Sequence, residues 1–207
     1  MSYSQNKEDL LVLDYFGNYK SALLSIGENS GTVLSNALLL IENGWSACLV
    51  EPAPIAFEKL QELHKGNSKV QCLNYAITDK VGTMKFFDSD SHISSDDTSL
   101  LSTLVESETH KWKATQKFNE IEVYCIDFKT LLHYSIYKTF EFISIDCEGQ
   151  DVTVLKQIDL NKVGCKCLCI EWNSNPAVKK EIMDYCYDFG MTNIILENAE
   201  NLLIAHE

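Results

Sequence analysis

The sequence predicts a single α/β domain, with a mainly parallel sheet, helices on both faces and an antiparallel hairpin at its C-terminal end. Three observations carry this. Short continuous apolar runs alternate with segments of helical periodicity, as strands buried on both faces alternate with the helices that cover them. Most of these runs stop at glycine or polar residues, where open α/β sheets place their ligands. The last two runs are separated only by Asn198-Ala199-Glu200-Asn201, a composition suited to folding the chain back on itself.

Taken in order, Ala22 to Ile26 is a buried strand ending at Gly27. Val33 to Asn43 reads as a helix with Leu34, Leu38 and Ile41 on one face, closed by Gly44. Ala47 to Val50 is the second strand and stops at Glu51-Pro52; Ile55 to His64 is the second helix, with Phe57, Leu60 and Leu63 as its stripe. Val70 to Ala76 is the third strand and Met84 to Phe87 the fourth. Asp88 to Ser99 is polar, with Ile93 its only aliphatic residue, a composition found in functional loops. Leu100 to Trp112 is expected to be helical, capped by Thr98 or Ser99. Glu120 to Ile126 alternates like a strand, Phe128 to Tyr134 is a short helix, and Phe140 to Ile145 is a strand ending in Asp146-Cys147-Glu148-Gly149. Val152 to Ile158 is a helix, and Cys165 to Ile170 is a strand ending at Glu171-Trp172-Asn173. Pro176 opens a helix over Ala177 to Phe189, and Thr192 to Leu196 with Leu202 to His206 form the hairpin.

The 207 residues are 45% apolar, enough for one substantial core, and no linker or repeat divides residues 1–207. Lys and Arg number 17 against 30 acids, a net charge of −13 whose average field repels polyanions, so no nucleic-acid partner is expected. No apolar run is long enough to cross a bilayer and the N-terminal residues are polar; the expectation is a cytoplasmic protein with no membrane partner. Cys165, Cys167 and Cys169 alternate, so a strand would put them on one face. No C-x-x-C pair accompanies them, and they read as reduced core thiols rather than a metal cluster.

The strand ends select the candidate site. A nicotinamide dinucleotide needs G-x-G-x-x-G so that backbone can approach its pyrophosphate; here Asn29 and Thr32 replace the second and third glycines, which disfavours an oxidoreductase. A nucleoside without phosphates needs only a looser turn such as Gly27-Glu28-Asn29-Ser30-Gly31. Glu51, 20 residues beyond Gly31 at a strand tip, can accept hydrogen bonds from both ribose hydroxyls.

Ser4-Gln5-Asn6-x-Glu8-Asp9-Leu10, Ile26-Gly27-x-Asn29-x-Gly31, Gly44-Trp45, Val50-Glu51-Pro52, Asn74-Tyr75-Ala76-Ile77 and Ile145-Asp146-x-Glu148-Gly149, in that order, resemble the FkbM family of S-adenosylmethionine (SAM)-dependent methyltransferases. The resemblance runs from about Ser4 to the hairpin. It implies a Rossmann-like class I methyltransferase fold with seven strands, the last antiparallel. It also implies that Gly27, Glu28, Asn29 and Gly31 line the methionine end of SAM, that Glu51 holds the ribose, and that Asn74, Tyr75 and Ala76 lie by the adenine. Asp146 would lie near the sulfonium and the acceptor. The family usually has Asp before the Ile-Gly of the first turn and alanine after that glycine; here these are Ser25 and Glu28, and Glu28 can compensate for the missing acid.

The expected reaction is methyl transfer to a hydroxyl of a small molecule or sugar, the sugar being implied by the family alone. Asp146 and Glu148 are the candidate catalytic carboxylates. A sharper variant has Asp146, Glu171 and Asn173 holding Mg²⁺ to acidify the acceptor hydroxyl. His92 and His110 are further candidate bases in or beside the polar loop, which is expected to form the acceptor site or a lid. The alternative reading, favoured by Ser25, is a non-catalytic SAM-binding or interaction protein.

Overall fold

The computed structural model describes residues 1–90 and 98–207. Helix α1 (Glu8–Phe16) leads into strand β1 (Ala22–Ile26), helix α2 (Leu38–Glu42), strand β2 (Ser46–Val50), helix α3 (Pro54–Leu63) and strand β3 (Val70–Leu73). Strands β4 (Ala76–Ile77), β5 (Gly82–Asp88) and β6 (Asn119–Ile126) follow, with the short helix α4 (Glu106–Thr109) and a 3-10 turn at His110–Trp112 between the last two. Helix α5 (Phe128–Tyr134), strand β7 (Phe142–Ile145), helix α6 (Asp151–Leu155), strand β8 (Cys167–Glu171), helix α7 (Pro176–Asp188) and strands β9 (Asn193–Glu197) and β10 (Asn201–Ala205) complete the chain.

Seven strands form one sheet in the order β3-β2-β1-β7-β8-β10-β9. The pairs from β3 to β8 are parallel, and β10 runs antiparallel to both β8 and β9. The order reverses between β1 and β7, the switch point where such sheets open a crevice.

Alternation along each strand divides the core in two. Leu24, Ile26, Ile143, Ile145, Leu168 and Ile170 face α5, α6 and α7. Leu23, Leu49, Phe142, Cys167 and Cys169 face the other way, toward α1, α2 and α3. Cys165 precedes β8 and joins the first core, so it does not share a face with Cys167 and Cys169; all three are free thiols.

Several elements differ from expectation for local reasons. Val70 to Ala76 is broken at Asn74-Tyr75. Asn74 Nδ2 donates to the carbonyls of Glu51 (2.8 Å) and Pro52 (3.1 Å), and beyond it Ala76–Ile77 joins a second sheet of order β4-β6-β5. This small sheet packs Ala76, Phe86 and Val123 against Ala53 and Ala56 of the α3 region. The Val33 to Asn43 helix starts only at Leu38, because Leu34 is left-handed (φ 57°) and Ser35 Oγ accepts from the Leu38 amide at 2.9 Å. Leu100 to Trp112 is not one helix: Thr103 pairs with Phe87 as a β-bridge, and the short helix in this stretch has Val105, rather than Thr98 or Ser99, at its N-cap.

Helix α1 was not legible as an amphipathic repeat. Its first turn is held by two buried acids. Asp9 accepts from Ser2 Oγ (2.6 Å), the Tyr3 amide (2.8 Å) and Ser4 Oγ (2.9 Å). Glu8 accepts from the Asn6 amide (2.7 Å) and from Asn201 Nδ2 (3.0 Å), tying this segment to the hairpin. Among the described residues, no helix is long and apolar enough to cross a membrane.

Helix α5 is capped by Asp127, whose side chain accepts from the Thr130 amide at 2.7 Å. Asp127→Ala is expected to lower stability by about 1 kcal/mol, read as an earlier midpoint in urea unfolding; an unchanged midpoint contradicts the cap.

Candidate functional site

A cavity of about 550 Å³ opens beyond the C-terminal ends of β1, β2, β7 and β8. That is ample for a nucleoside-sized ligand. Gly27, Glu28, Asn29, Glu51, Tyr75, Ala76, Asp146 and Glu148 all line it. Gly31 and Asn74 do not. Gly31 packs the first turn onto α3, where an added Cβ would sit 2.6 Å from Leu60 Cδ1, and Asn74 braces the backbone after Glu51.

The first turn is built by close approach. Gly27 has φ 84°, and a Cβ there would fall 1.7 Å from the carbonyl oxygen of Asp146. Only glycine fits, because both the backbone angle and the space exclude a side chain. The amides of Gly27 and Glu28 donate to the Val50 carbonyl at 2.9 and 3.1 Å, so the turn also rides on the end of β2.

Glu51 is buried. Its Oε2 accepts from the Asn29 amide (2.8 Å) and its Oε1 from the Ala53 amide (2.7 Å), so it clasps the first turn to the start of α3. Burial pushes its carboxyl up to about 8, against the opposing pull of these two amides. Each oxygen retains a lone pair for a further donor.

Glu28 is also buried. Ser35 Oγ donates to its Oε1 at 2.5 Å, and the Ser25 side chain hydrogen-bonds it too; burial raises it to about 7. The turn thus delivers a carboxylate beside Ser25, where an acid on the strand was absent. Tyr75, Ala76, Ile77 and Pro52 supply an apolar wall on the same side.

Across the cavity, carboxylate oxygens of Asp146, Glu148 and Glu171 lie within 4.8 Å of one another. Ile145 pairs with Ile170, which places Asp146 and Glu171 side by side at adjacent strand tips. Glu148 is turned in by a left-handed backbone (φ 46°), a conformation that costs a non-glycine residue on the order of 1 kcal/mol. Asp146 is open to the cavity but walled by protein. Burial, then the charges of Asp151 and Glu28, push it up to about 7. Glu148 and Glu171 are pushed well above the usual carboxylate range, first by burial and then by the neighbouring acids.

Sequence reasoning missed several supporting residues. Asp151 accepts from the amides of Cys147 (2.8 Å) and Gly149 (3.0 Å) and shapes the Asp146-to-Gly149 turn; its signal was an acid four residues past Cys147 at a helix start. Asp88 pins the polar loop's base through Ser99 Oγ (2.6 Å) and Ser102 Oγ (3.1 Å). Residues from Ser99 to Trp112, including Leu101, Leu104 and Trp112, roof the cavity. Asn29 Nδ2 donates to the Thr98 carbonyl (2.6 Å) and Thr103 Oγ1 to the Glu148 carbonyl (2.7 Å), so the roof is tied to both sides. His110 is exposed and outside the cavity. His92 and most of the expected loop lie outside the described residues. Asn173 also lines the cavity and hydrogen-bonds Glu171, and Glu148 joins Asp146 and Glu171 in the acidic cluster.

A family model described as methyltransferase FkbM domain matches residues 25–198. Among solved structures, the chain is similar to methyltransferase FkbM from Methylobacillus flagellatus KT, with a TM-score of 0.58 and 11% identity, over 89% of this chain and 43% of that one. It thus spans less than half of that protein's length. It is also similar to the METTL16 MTase domain, with a TM-score of 0.51 and 9% identity, over 97% of this chain and 67% of that one. These likenesses are of fold, and they share the class I methyltransferase architecture. No curated protein matches the chain significantly.

A carboxyl held higher in the fold than in the unfolded chain contributes most stability below its unfolded value and loses it as pH rises through its folded value. Glu28 at about 7 and Glu51 at about 8 both follow this rule. The melting temperature of the ligand-free protein is therefore expected to fall by roughly 5–15 °C from about pH 5 to about pH 9. A flat or rising profile in calorimetry contradicts this picture of the site.

Proposed function

The chain belongs to the methyltransferase FkbM domain family, and from that premise we propose that it methylates a hydroxyl oxygen of a small molecule or sugar, with SAM as donor. The observation that carries the reading is Glu51: a buried carboxylate at a strand tip, lining a nucleoside-sized cavity and clasped to the adjacent turn.

The cavity fits the cofactor on its own features. The Gly27 turn leaves no room for a Cβ and keeps backbone close to the cleft floor. Glu51 has acceptors to spare for a vicinal diol, Glu28 offers a carboxylate for an ammonium, and Tyr75, Ala76 and Ile77 offer an apolar face to a base. When bound, SAM supplies an electrophilic methyl on a sulfonium, and its transfer to oxygen leaves a thioether and releases the hydroxyl proton.

The chain's own residues do the rest. Asp146, set beside the first turn, accepts the acceptor's proton, and its raised affinity for protons suits a base working near neutral pH. Glu148 holds the acceptor hydroxyl toward Asp146. The roof of Leu101, Leu104 and Trp112 excludes water, which would otherwise compete as acceptor. The chain contains no arginine, so no guanidinium fork is present for phosphate; with the net charge of −13 this favours an uncharged or cationic acceptor over nucleic acid. Glu28, held by Ser25 and Ser35, counts against the non-catalytic alternative that Ser25 favoured.

In calorimetric titrations with S-adenosylhomocysteine, Glu51→Ala is expected to weaken binding by roughly 1.5–3 kcal/mol, the scale of a lost charged hydrogen bond. Unchanged affinity removes Glu51 as the anchor. Against a panel of hydroxylated acceptors, Asp146→Asn is expected to lower turnover by about 100-fold or more while cofactor affinity stays within a few-fold of wild type. Turnover unaffected by the substitution rules out Asp146 as the base.

A further inference from the structure

We infer that Asp146, Glu148 and Glu171 form a binding site for one hard divalent cation, Mg²⁺ or Mn²⁺. The three carboxylates approach within 4.8 Å, close to the spacing that an oxygen-ligated ion imposes on its ligands. Two of them stand side by side on neighbouring parallel strands, and the third is bent inward by a left-handed residue.

A separate observation points to a missing positive partner. Glu171 Oε2 is sealed from solvent and has no hydrogen-bond partner among the described residues. The fully buried acids in and behind the cleft are satisfied: Glu51 by two amides, Glu28 by Ser35, and Asp151 by the amides of Cys147 and Gly149. An unpartnered carboxylate oxygen in a protein interior is costly, and a cation offsets that cost directly. Among the described residues, no lysine or histidine forms an ion pair with Glu171. The chain has no arginine. Lys111, whose field reaches Glu148, is ion-paired with Glu108.

An all-oxygen set of three carboxylates selects Mg²⁺ or Mn²⁺ over thiolate-seeking metals and leaves coordination positions for water or an acceptor oxygen. What the cation does for an acceptor rests on the hydroxyl reading above: it would draw the hydroxyl's pKa down. The binding site itself does not depend on that reading.

The test is titration of the full chain with Mn²⁺, followed by paramagnetic resonance, with displacement by Mg²⁺ and parallel melting curves. Wild type is expected to bind one Mn²⁺, release it to Mg²⁺, and melt higher with either ion. Glu171→Gln and Glu148→Gln are each expected to weaken binding at least tenfold and to lose most of the metal-dependent rise in melting temperature. The surface variant Glu181→Gln is expected to bind like wild type. Two variants guard against one failing to fold. No binding by folded wild type at millimolar Mn²⁺ or Mg²⁺, or undiminished binding by both cleft variants, overturns the inference. So does a cleft stabilised by an organic ammonium but by neither metal. S-adenosylhomocysteine binding in EDTA, measured on the same samples, reports on the cofactor reading alone, so the two can fail separately.

Discussion

Uncompensated negative charge in a cleft of low dielectric is the constraint around which this protein is organised. Glu28, Glu51, Asp146, Glu148 and Glu171 line one cavity, Asp151 braces the turn that carries two of them, and burial raises the proton affinity of every one of the six. Coulomb repulsion in such surroundings is several-fold stronger than in water. Without a ligand, protons must relieve it. A cofactor that carries a sulfonium and an ammonium relieves it far better, as would a metal ion. The stability of the empty fold is thus traded against its affinity for positive ligands, a common bargain at functional sites.

The parallel register makes this arrangement unavoidable. Strands β1, β2, β7 and β8 end at one level, so the residues that follow them must meet. The contact between Gly27 and the Asp146 backbone then fixes how close the two halves come. The roof, tied to Asn29 on one side and to Glu148 on the other, spans both. A ligand seated under it touches groups from both halves of the sheet, which is how a cofactor and an acceptor could be brought into line.

Much of this was legible in the sequence, for identifiable reasons. The buried strands announced themselves because continuous apolar runs have few other uses, and Ala22–Ile26 and the Phe128–Tyr134 helix fell where the pattern put them. Glu51 was legible because an acid directly after such a run has a known place in the fold. What escaped depended on side chains reaching across the chain. Helix α1 is secured by buried acids rather than an apolar stripe. Asn74 breaks a strand by bonding to backbone more than 20 residues away. Leu34 and Glu148 adopt left-handed backbone that no local preference suggests. Glu148's place beside Glu171 and the exclusion of Gly31 from the cavity are likewise properties of packing.

The most direct test of the central claim is a crystal structure of the chain with S-adenosylhomocysteine. Density is expected in the cavity, with the ribose hydroxyls on Glu51, the amino-acid end near Glu28 and the sulfur facing Asp146. Ligand bound elsewhere, or a cleft filled by the protein's own side chains at saturating concentrations, would contradict the claim.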